Sequence, residues 1–374
     1  MPTSPAATPS PVSRVIPSVP PAAPSPSASP FQPRSVSINV SGDLLWHNSL
    51  WFSAEADGAD GADGADGMDF VPQLASIGDY VRSADVAVCH SEVPFAPAGG
   101  PHLGYPMFAA PQDIADALVE IGWDICTTAS NHTMDQGWEG LVRTVDTHES
   151  VGIQTVGSYR TEAEAAAPVI VDSGGGVRVG FVSQTYGLNG IPKPEGRPWA
   201  VDLLDADAAI ADAARAKAAG ADIVAVHMHA GDEYVHAPSQ QQRDFAEAVT
   251  SSEHVDFVFG QHAHVVQPIE LVNGKWVVYG TGNLIAQSGP AKPHTYDGML
   301  VQLNFTETEP GEFAADSVEW APTMITRYTQ SSPARVYFIP TEIHERPGLA
   351  HAMEESAART RGIVGDVDGL TEVS

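Results

Sequence analysis

The clearest indication of the fold comes from residues 203–229, which read LLDADAAIADAARAKAAGADIVAVHMH. Residues 203–219 are rich in alanine, the residue with the strongest intrinsic preference for a helix, and predict an α-helix. Residues 223–226, Ile-Val-Ala-Val, form a continuous apolar run that is typical of a strand buried on both faces. A helix that leads into such a strand is the repeating unit of an α/β protein.

The same alternation continues on both sides of this stretch. Predicted strands lie at residues 36–40, 85–89, 123–126, 154–157, 177–182, 257–259, 276–279 and 334–338, and predicted helices at residues 111–121, 141–150, 240–250 and 349–361. Because continuous apolar strands need cover on both faces, we expect an α/β fold with buried sheets.

Acidic residues dominate the charge of the chain. Its 374 residues include 18 Lys+Arg against 47 Asp+Glu, a formal net charge of −29. Such a chain repels phosphate backbones and shows no local basic patch, so we expect no nucleic-acid partner. No apolar stretch reaches the roughly 18–20 residues of a membrane span, so no transmembrane span is expected in this chain.

The two cysteines, Cys89 and Cys126, allow at most one internal disulfide and exclude a C-x-x-C metal site. Each closes a predicted strand, and a small buried hydrophobe is the favoured interpretation of both.

Composition also divides the chain. Residues 1–34 consist almost entirely of Pro, Ser, Ala, Thr and Val and predict a disordered linker. Residues 54–67 contain an Ala-Asp-Gly tandem, which we interpret as a solvated acidic loop because the EF-hand ligand pattern is absent.

The main domain is predicted over residues 35–305. Residues 306–374 are expected to form a C-terminal extension packed on that domain, with a frayed acidic end.

The proline-rich segment also bears on location. The sequence as printed lacks the basic and apolar regions of a secretory signal. Linkers of this composition often follow a signal or lipid anchor in exported proteins, so we expect an extracytoplasmic or envelope-associated protein. A cytoplasmic protein with such a tail remains the alternative.

Polar side chains of the kind that bind metals follow nearly every predicted strand. They are Asp43, Glu92, Asn131, His132, His227, His229, His262, His264 and Asn283. Each alone has an ordinary explanation, such as a helix cap at Asp43 or a buried pair at His262 and His264. Together they are hard to explain as core packing, since the carboxyl ends of strands in α/β sheets form the ligand crevice. Carboxylates, imidazoles and an amide suit Mn²⁺, Fe²⁺ or Zn²⁺, with one or two ions bound.

These residues lie in motifs that resemble a known family. The motifs, in chain order, are Gly42-Asp43, Cys89-His90-Ser91-Glu92, residues 129–137 (ASNHTMDQG), residues 229–234 (HAGDEY), residues 260–270 (GQHAHVVQPIE) and residues 279–283 (YGTGN). The chain resembles the bacterial capsule-synthesis CapA family, also called the poly-γ-glutamate synthesis PgsA family, from about residue 35 to 305. That family is similar to calcineurin-like metallophosphoesterases, which implies a four-layer α/β/β/α sandwich of the metallo-dependent phosphatase type.

The resemblance also implies roles for individual residues. It implies metal ligands at Asp43, Glu92, Asn131, His229, His262 and His264, with Glu92 bridging two ions. His132 would assist the leaving group, with Asp135 beside it at the catalytic centre. Glu233, Asn283, His90, His227 and His47 would contact the substrate or orient the ligands.

The chain departs from the family pattern at several positions. The Asp-x-His motif is missing, because Leu45 stands two residues after Asp43, although His47 lies four after it. His90 replaces the usual asparagine, and Ala230 replaces the usual aromatic residue. His90 and His227 either supply the missing ligands or are buried histidines, and a one-metal or vestigial site stays open.

Three functions follow as alternatives. The first is a divalent-metal-dependent hydrolase of capsule or poly-γ-glutamate synthesis, in which metal-bound hydroxide attacks a phosphoester or a γ-glutamyl amide. Its partners would be an anionic polymer or phosphoester substrate and other capsule-synthesis proteins. The second is a non-catalytic subunit that binds or exports the polymer. The third is a cytosolic phosphoesterase unrelated to capsules.

Overall fold

The structure, a computed structural model, describes residues 1–4, 31–58, 67–289 and 292–374. The chain divides into two units, Met1–Gln32 and Pro33–Ser374, and the elements below all belong to the second. Most of the predicted linker, residues 5–30, lies outside the described residues, as do residues 59–66 of the predicted acidic loop.

The described strands are β1 Ser35–Leu44, β2 Val86–Ser91, β3 Ile125–Thr127, β4 Gln154–Val156, β5 Val169–Asp172, β6 Arg178–Thr185, β7 Ile223–His229, β8 Phe257–Gln261, β9 Ile269–Val272, β10 Lys275–Val278, β11 Asn283–Ile285, β12 Asp297–Glu309, β13 Glu312–Ile325, β14 Val336–Phe338 and β15 Leu370–Glu372. The described helices are α1 Asn48–Gly58, α2 Val71–Leu74, α3 Gly78–Arg82, α4 Ile114–Ile121, α5 Gly137–Ser150, α6 Glu162–Ala166, α7 Ala206–Ala218, α8 Gln240–Thr250, α9 Ile339–Glu345 and α10 Ala350–Val364, with 3₁₀ turns at Ala75–Ile77 and Pro293–Tyr296.

The strands form two sheets. The first has the order β14-β13-β12-β1-β2-β3-β4, with β11 beside β1 and β15 beside β13. The second has the order β5-β6-β7-β8-β10-β9. Strands β1 to β4 run parallel, as do β6, β7, β8 and β10, so each sheet has one edge at which several carboxyl ends meet.

The two sheets pack face to face, and helices cover their outer faces. Ile38 and Val88 of the first sheet share one buried core with Phe181 and Phe259 of the second. Helices α1 to α4 bury their apolar side chains against the outer face of the first sheet, and α7 and α8 do so on the second. The predicted four-layer α/β/β/α sandwich is therefore confirmed.

Local sequence explains where these elements begin. Helix α8 starts at Ser239, whose hydroxyl accepts the Gln242 N–H while the Gln242 side chain accepts the Ser239 N–H, a capping box. Phe245 and Val249 on its inner face then pack against the second sheet. The prediction of a helix over residues 240–250 matches the structure.

Other boundaries differ from the prediction. Strand β7 continues to His229, so that His227 and His229 lie within the strand rather than after it. Helix α1 continues to Gly58, so residues 54–58 are helical and not part of a loop. The glycine run at residues 174–176 links the antiparallel strands β5 and β6 as the expected hairpin turn.

The predicted division at residue 305 falls inside β12, which pairs with β1 on one side and β13 on the other. Residues 306–374 thus supply strands of the first sheet rather than only an extension packed on it. The last residues are also paired, because β15 lies beside β13 and the Val373 N–H donates to the Trp320 carbonyl.

Cys89 and Cys126 form a disulfide in the structure. They are register partners on the neighbouring strands β2 and β3, and both are buried under the helices of the first sheet. The interpretation as two separate buried hydrophobes was wrong, because the pairing of β2 with β3, which the sequence alone does not show, brings the two side chains together.

Candidate metal centre

The candidate site lies where β1, β2, β7 and β8 end. Asp43 lies near the end of β1, at an irregularity in the pairing of that strand. Its register partners are His90 of β2 on one side and Asn283 of β11 on the other. Gly42 allows this approach, because a Cβ there would lie 2.3 Å from the Gly282 carbonyl oxygen. The site therefore depends on a residue without a side chain directly before Asp43.

Metal-type ligands converge here in three overlapping groups among the described residues. The groups are His90 with His227 and His229; Glu92 with His262 and His264; and Asp43 with His90 and Glu92. In each group, one ligand atom per residue lies within 4.8 Å of the others, and every member is buried. We call Asp43, Glu92, His262 and His264 the carboxylate pocket, and His90, His227 and His229 the histidine pocket.

Glu92 is the centre of the carboxylate pocket. Its side chain is fully buried, and neither carboxylate oxygen has a hydrogen-bond partner in the described part of the chain. Burial raises the pKa of Glu92 well above its usual range, although the nearby His264 opposes the shift. A buried carboxylate without a partner is costly, and a cation among its histidine neighbours would remove that cost.

His264 is fixed between two oxygen atoms. Its Nδ1 lies 3.0 Å from Asp43 Oδ2 and 3.0 Å from Asn283 Oδ1, and its Nε2 lies 3.7 Å from Glu92 Oε1. Burial lowers the pKa of His264, but the charges of Glu92 and Asp43 outweigh it and raise that pKa to about 9. Asn283 thus orients a ligand-type histidine, the kind of contact expected for it.

The backbone of the loop after β8 is unusual. His262 has φ = 99° and His264 has φ = 56°, both in the region that favours glycine. Such conformations persist only where the surroundings hold them, and they cluster at functional sites. Here they turn two alternate side chains, His262 and His264, toward Glu92.

Asn131 and His132 lie at the same edge, after β3. Asn131 Oδ1 lies 2.8 Å from His229 Nε2, which joins the amide to the histidine pocket. His132 Nδ1 lies 2.7 Å from Asp135 Oδ2, which also accepts the Phe108 N–H at 2.8 Å. The ring of Phe108 packs edge-on against His132 at 4.8 Å, so the imidazole is held from two sides.

Four ligand-type histidines of the site, His90, His227, His229 and His262, are kept neutral because their pKa values are lowered. Burial, reinforced by His227, lowers the pKa of His90 to about 3, and burial lowers that of His227 to about 3 as well. The pKa of His262 falls to about 3, and that of His229 falls well below its usual value, in both cases chiefly through burial. Neutral imidazoles keep the lone pairs that a metal needs.

Glu233 and His47 are among the predicted residues that belong to none of the three groups. Glu233 is exposed at the rim, where its charge contributes to raising the pKa of Tyr234. His47 packs against Phe108 with 5.6 Å between ring centres, and its Nδ1 accepts the Gln287 N–H. His47 does not join a ligand group in place of the histidine missing at Leu45.

Sequence reasoning missed Thr127 and Ser183, whose hydroxyls contact His90 and His227. Each is the register partner of its histidine on the neighbouring strand. Only the register of the paired strands identifies these two residues, and the sequence alone does not show that register.

The donor set fits a divalent cation. It combines two buried carboxylates with neutral imidazoles and the Asn131 amide, the ligands that zinc, iron and manganese take in proteins. The fold therefore carries His, Asp and Glu groups positioned to bind metal.

Comparison with known proteins places the chain in a family. The profile described as bacterial capsule synthesis protein PGA_cap matches residues 37–288, more than half of the chain. This chain belongs to the PGA_cap family. The match covers the ends of β1, β2, β7 and β8, so the candidate metal centre lies within the family region.

Curated members of similar sequence come from three bacteria. The chain is 28% identical over 203 residues to the PGA biosynthesis protein CapA of Bacillus subtilis (strain 168), covering 54% of this chain and 52% of that protein. It is 28% identical over 225 residues to the "Probable polyglutamine synthesis accessory protein" of Mycobacterium tuberculosis (strain ATCC 25618 / H37Rv), covering 58% and 59%. It is 25% identical over 203 residues to the capsule biosynthesis protein CapA of Bacillus anthracis, covering 53% and 48%. The chain thus spans about half the length of the curated relatives it matches.

Two solved structures show a looser likeness. The calcineurin-like phosphoesterase YfkN of Bacillus subtilis has a TM-score of 0.47 at 15% identity, covering 88% of this chain and 98% of that one. The NAD nucleotidase of Haemophilus influenzae has a TM-score of 0.41 at 10% identity, covering 91% and 57%.

Among the residues that the structure describes, no helix combines the length and the apolar character needed to cross a membrane.

Proposed function

We propose that this protein is a divalent-metal-dependent hydrolase of the CapA type, acting on a phosphoester or a γ-glutamyl amide of an envelope polymer. One observation carries the proposal: Glu92 is buried with both oxygens unpartnered, and His262, His264 and Asp43 surround it. Such a carboxylate destabilises the metal-free fold and is stabilised by a bound cation.

The choice of ion follows from the donors. Mixed carboxylate and imidazole ligands suit Mn²⁺, Fe²⁺ or Zn²⁺. Bound there, one or two such ions would polarise a phosphoryl or carbonyl oxygen and lower the pKa of a water molecule. The protein contributes Glu92, Asp43, His262 and His264 as ligands, with Asn131 and His229 beside them.

The protein's own acid is His132. Its Nδ1 donates to Asp135 Oδ2, which leaves Nε2 to hold a proton for the leaving group. Asp135 orients the His132 ring through Nδ1 and stabilises the imidazolium that carries the second proton on Nε2. The dyad is nearly buried, His132 at 7% and Asp135 at 5% exposure, so competing water contacts are few.

The substrate class rests on the relatives, whose names refer to PGA, polyglutamine and capsule synthesis. The net charge of −29 disfavours binding of an anionic polymer by the protein alone. Cations in the carboxylate pocket would supply the attraction, which links polymer binding to metal binding. Other capsule-synthesis proteins are the expected partners.

The disulfide supports an extracytoplasmic or envelope-associated location. Disulfides persist in oxidising compartments and are rare in the cytosol. Cys89 and Cys126 lie on adjacent strands and are bonded. Cell fractionation with thiol labelling tests this: the protein should be found in the envelope or secreted fraction with both cysteines protected, and a reduced cytosolic pool would contradict it.

Turnover assays test the hydrolase. Chelated protein reloaded with Mn²⁺, Fe²⁺ or Zn²⁺ should cleave bis(p-nitrophenyl) phosphate or a γ-glutamyl anilide, and the substrate cleaved identifies the bond type. His132→Asn should bind the same metal and lose at least about 10²-fold in kcat. Metal-loaded protein that cleaves neither substrate but binds poly-γ-glutamate would instead indicate the non-catalytic polymer-binding subunit.

A further inference from the structure

The histidine pocket is a site in its own right. His90 comes from the first sheet, and His227 and His229 come from the second. The ring of His90 lies 4.8 Å from each of the other two rings, and all three side chains are fully buried. One ligand nitrogen from each residue lies within 4.8 Å of the other two.

Each of these three histidines has one ring nitrogen without a hydrogen-bond partner among the described residues. Within the described part of the chain, His90 Nε2, His227 Nε2 and His229 Nδ1 are buried and accept or donate no hydrogen bond. A buried polar atom that is left without a hydrogen bond destabilises the fold. Burial lowers the pKa of His227 to about 3, and the neighbouring Gln261 only partly opposes this shift. Gln261 Oε1, like His227 Nε2, has no hydrogen-bond partner among the described residues.

Two hydroxyl groups orient the rings. Thr127 Oγ1 lies 2.8 Å from His90 Nδ1, and Ser183 Oγ lies 2.8 Å from His227 Nδ1. Thr127 donates its own proton to the Cys89 carbonyl at 3.4 Å, so its oxygen accepts the His90 Nδ1–H. His90 therefore presents the lone pair of Nε2 to the pocket. Partners of this kind fix the tautomer and direction of metal-binding histidines.

We propose that His90, His227 and His229 bind a transition-metal ion of their own, of the class that imidazole prefers, such as Zn²⁺, rather than Mg²⁺ or Ca²⁺. Three imidazoles with one open position form a ligand set that zinc uses in enzymes. The proposal rests on the proposed metal-dependent function and deepens it, because it adds a second ion beside the carboxylate pocket. His90 also belongs to the group with Asp43 and Glu92, so the two pockets adjoin.

The test titrates chelated, full-length protein with Co²⁺ alone and follows its visible absorption, which reports the coordination number and geometry of the bound ion. Wild-type protein should bind two equivalents. His227→Asn should bind one fewer, with loss of the absorption that belongs to the histidine pocket, whereas His264→Asn should lose the other equivalent. His148→Gln, a change at a buried histidine whose Nδ1 contacts the Thr144 carbonyl away from the site, should bind both.

A second variant keeps all three ligands. Ser183→Ala removes only the hydroxyl on His227 and should weaken one Co²⁺ equivalent about 10–100-fold without changing the stoichiometry. It also covers the case in which His227→Asn does not fold.

The outcomes separate this proposal from the proposed function. If Ser183→Ala and His227→Asn bind Co²⁺ as wild type does while His264→Asn loses metal, the histidine pocket is not a metal site and the hydrolase stands. Wild-type protein that binds no Co²⁺ overturns both. Loss of one equivalent in His227→Asn and of the other in His264→Asn supports both.

Discussion

The rings of His90 and His227 lie 4.8 Å apart, although the two residues belong to different sheets. The core between the sheets is apolar along most of its length, with residues such as Val88 and Phe259. At the carboxyl ends of the strands it gives way to buried histidines and carboxylates. The candidate metal centre is thus the polar end of the same interface that holds the sheets together.

Glu92 should destabilise the metal-free protein. Its buried carboxylate has no hydrogen-bond partner among the described residues, and its nearest cationic group, His264 Nε2, lies 3.7 Å away. Glu92→Gln therefore removes a poorly compensated charge, and the chelated variant should melt at or above the temperature of chelated wild type. With metal at about 100 times its Kd, wild type should gain about 2.7 kcal/mol, and the variant much less. Thermal melts with and without chelator measure this. A chelated variant that melts well below chelated wild type would show that His264 compensates the charge of Glu92 in the metal-free protein.

Gly42 should be intolerant of a side chain. A Cβ at this position would lie 2.3 Å from the Gly282 oxygen and 2.7 Å from the Leu284 nitrogen, both backbone atoms that cannot turn aside. Gly42→Ala should therefore cost about 1–3 kcal/mol or more in the free energy of unfolding and displace Asp43. Urea denaturation measures the cost and metal titration measures the displacement. Gly362→Ala is the control, because Gly362 lies on an exposed turn of α10 and a Cβ there would meet no neighbouring atom within 4 Å. This change should be neutral or slightly stabilising.

His148 should make the fold sensitive to acid. Burial lowers its pKa to about 4, against about 6.5 in the unfolded chain, so below pH 6.5 the unfolded state binds a proton that the folded state does not. The stability is complete above pH 6.5 and falls as the pH drops toward 4. His148→Gln should lose about 2–3 kcal/mol less than wild type between pH 7.5 and pH 4.5.

Urea titrations at the two pH values measure this difference. His351→Gln, a change at an exposed histidine, is the control and should follow wild type. Equal acid sensitivity of His148→Gln and wild type would mean that His148 is protonated in the folded protein.

Asp135 should act through its charge. Its Oδ2 already accepts both the His132 Nδ1–H and the Phe108 N–H, so an Asn side-chain oxygen can keep both bonds. Asp135→Asn then removes only the negative charge that stabilises the His132 imidazolium. On whichever substrate the protein cleaves, kcat should fall about 10²-fold with little change in KM, and the pH–rate profile should shift. A lower kcat with an unmoved profile would mark Asp135 as structural only.

The fold could be predicted well from the sequence where one signal dominated. Apolar runs such as residues 223–226 and the capped helix at residues 240–250 carry their own periodicity and termini. The long antiparallel strands β12 and β13 were missed, because their burial depends on pairing within the first sheet, of β12 with β1 and of β13 with β12. The disulfide was missed for a related reason, since only the register of β2 and β3 brings Cys89 to Cys126.

For the site, the sequence could predict residue types but not distances. Asp43, Glu92, His262 and His264 were expected to be ligands from their places after strands, and the structure brings them together. His90 and His227 were expected only as contacts or substitutes, because nothing in the sequence shows that two strands of different sheets face each other. Thr127 and Ser183 have no signal of their own and were found only through strand register.

The metal content of the purified, full-length protein tests the central claim most directly. Elemental mass spectrometry of wild type, Glu92→Gln, His264→Asn and the control His148→Gln should be run side by side. The account predicts bound Mn, Fe or Zn in wild type and His148→Gln, and loss of the ion of the carboxylate pocket in Glu92→Gln and His264→Asn. Wild-type protein that is metal-free and takes up none of these ions on reloading would contradict it.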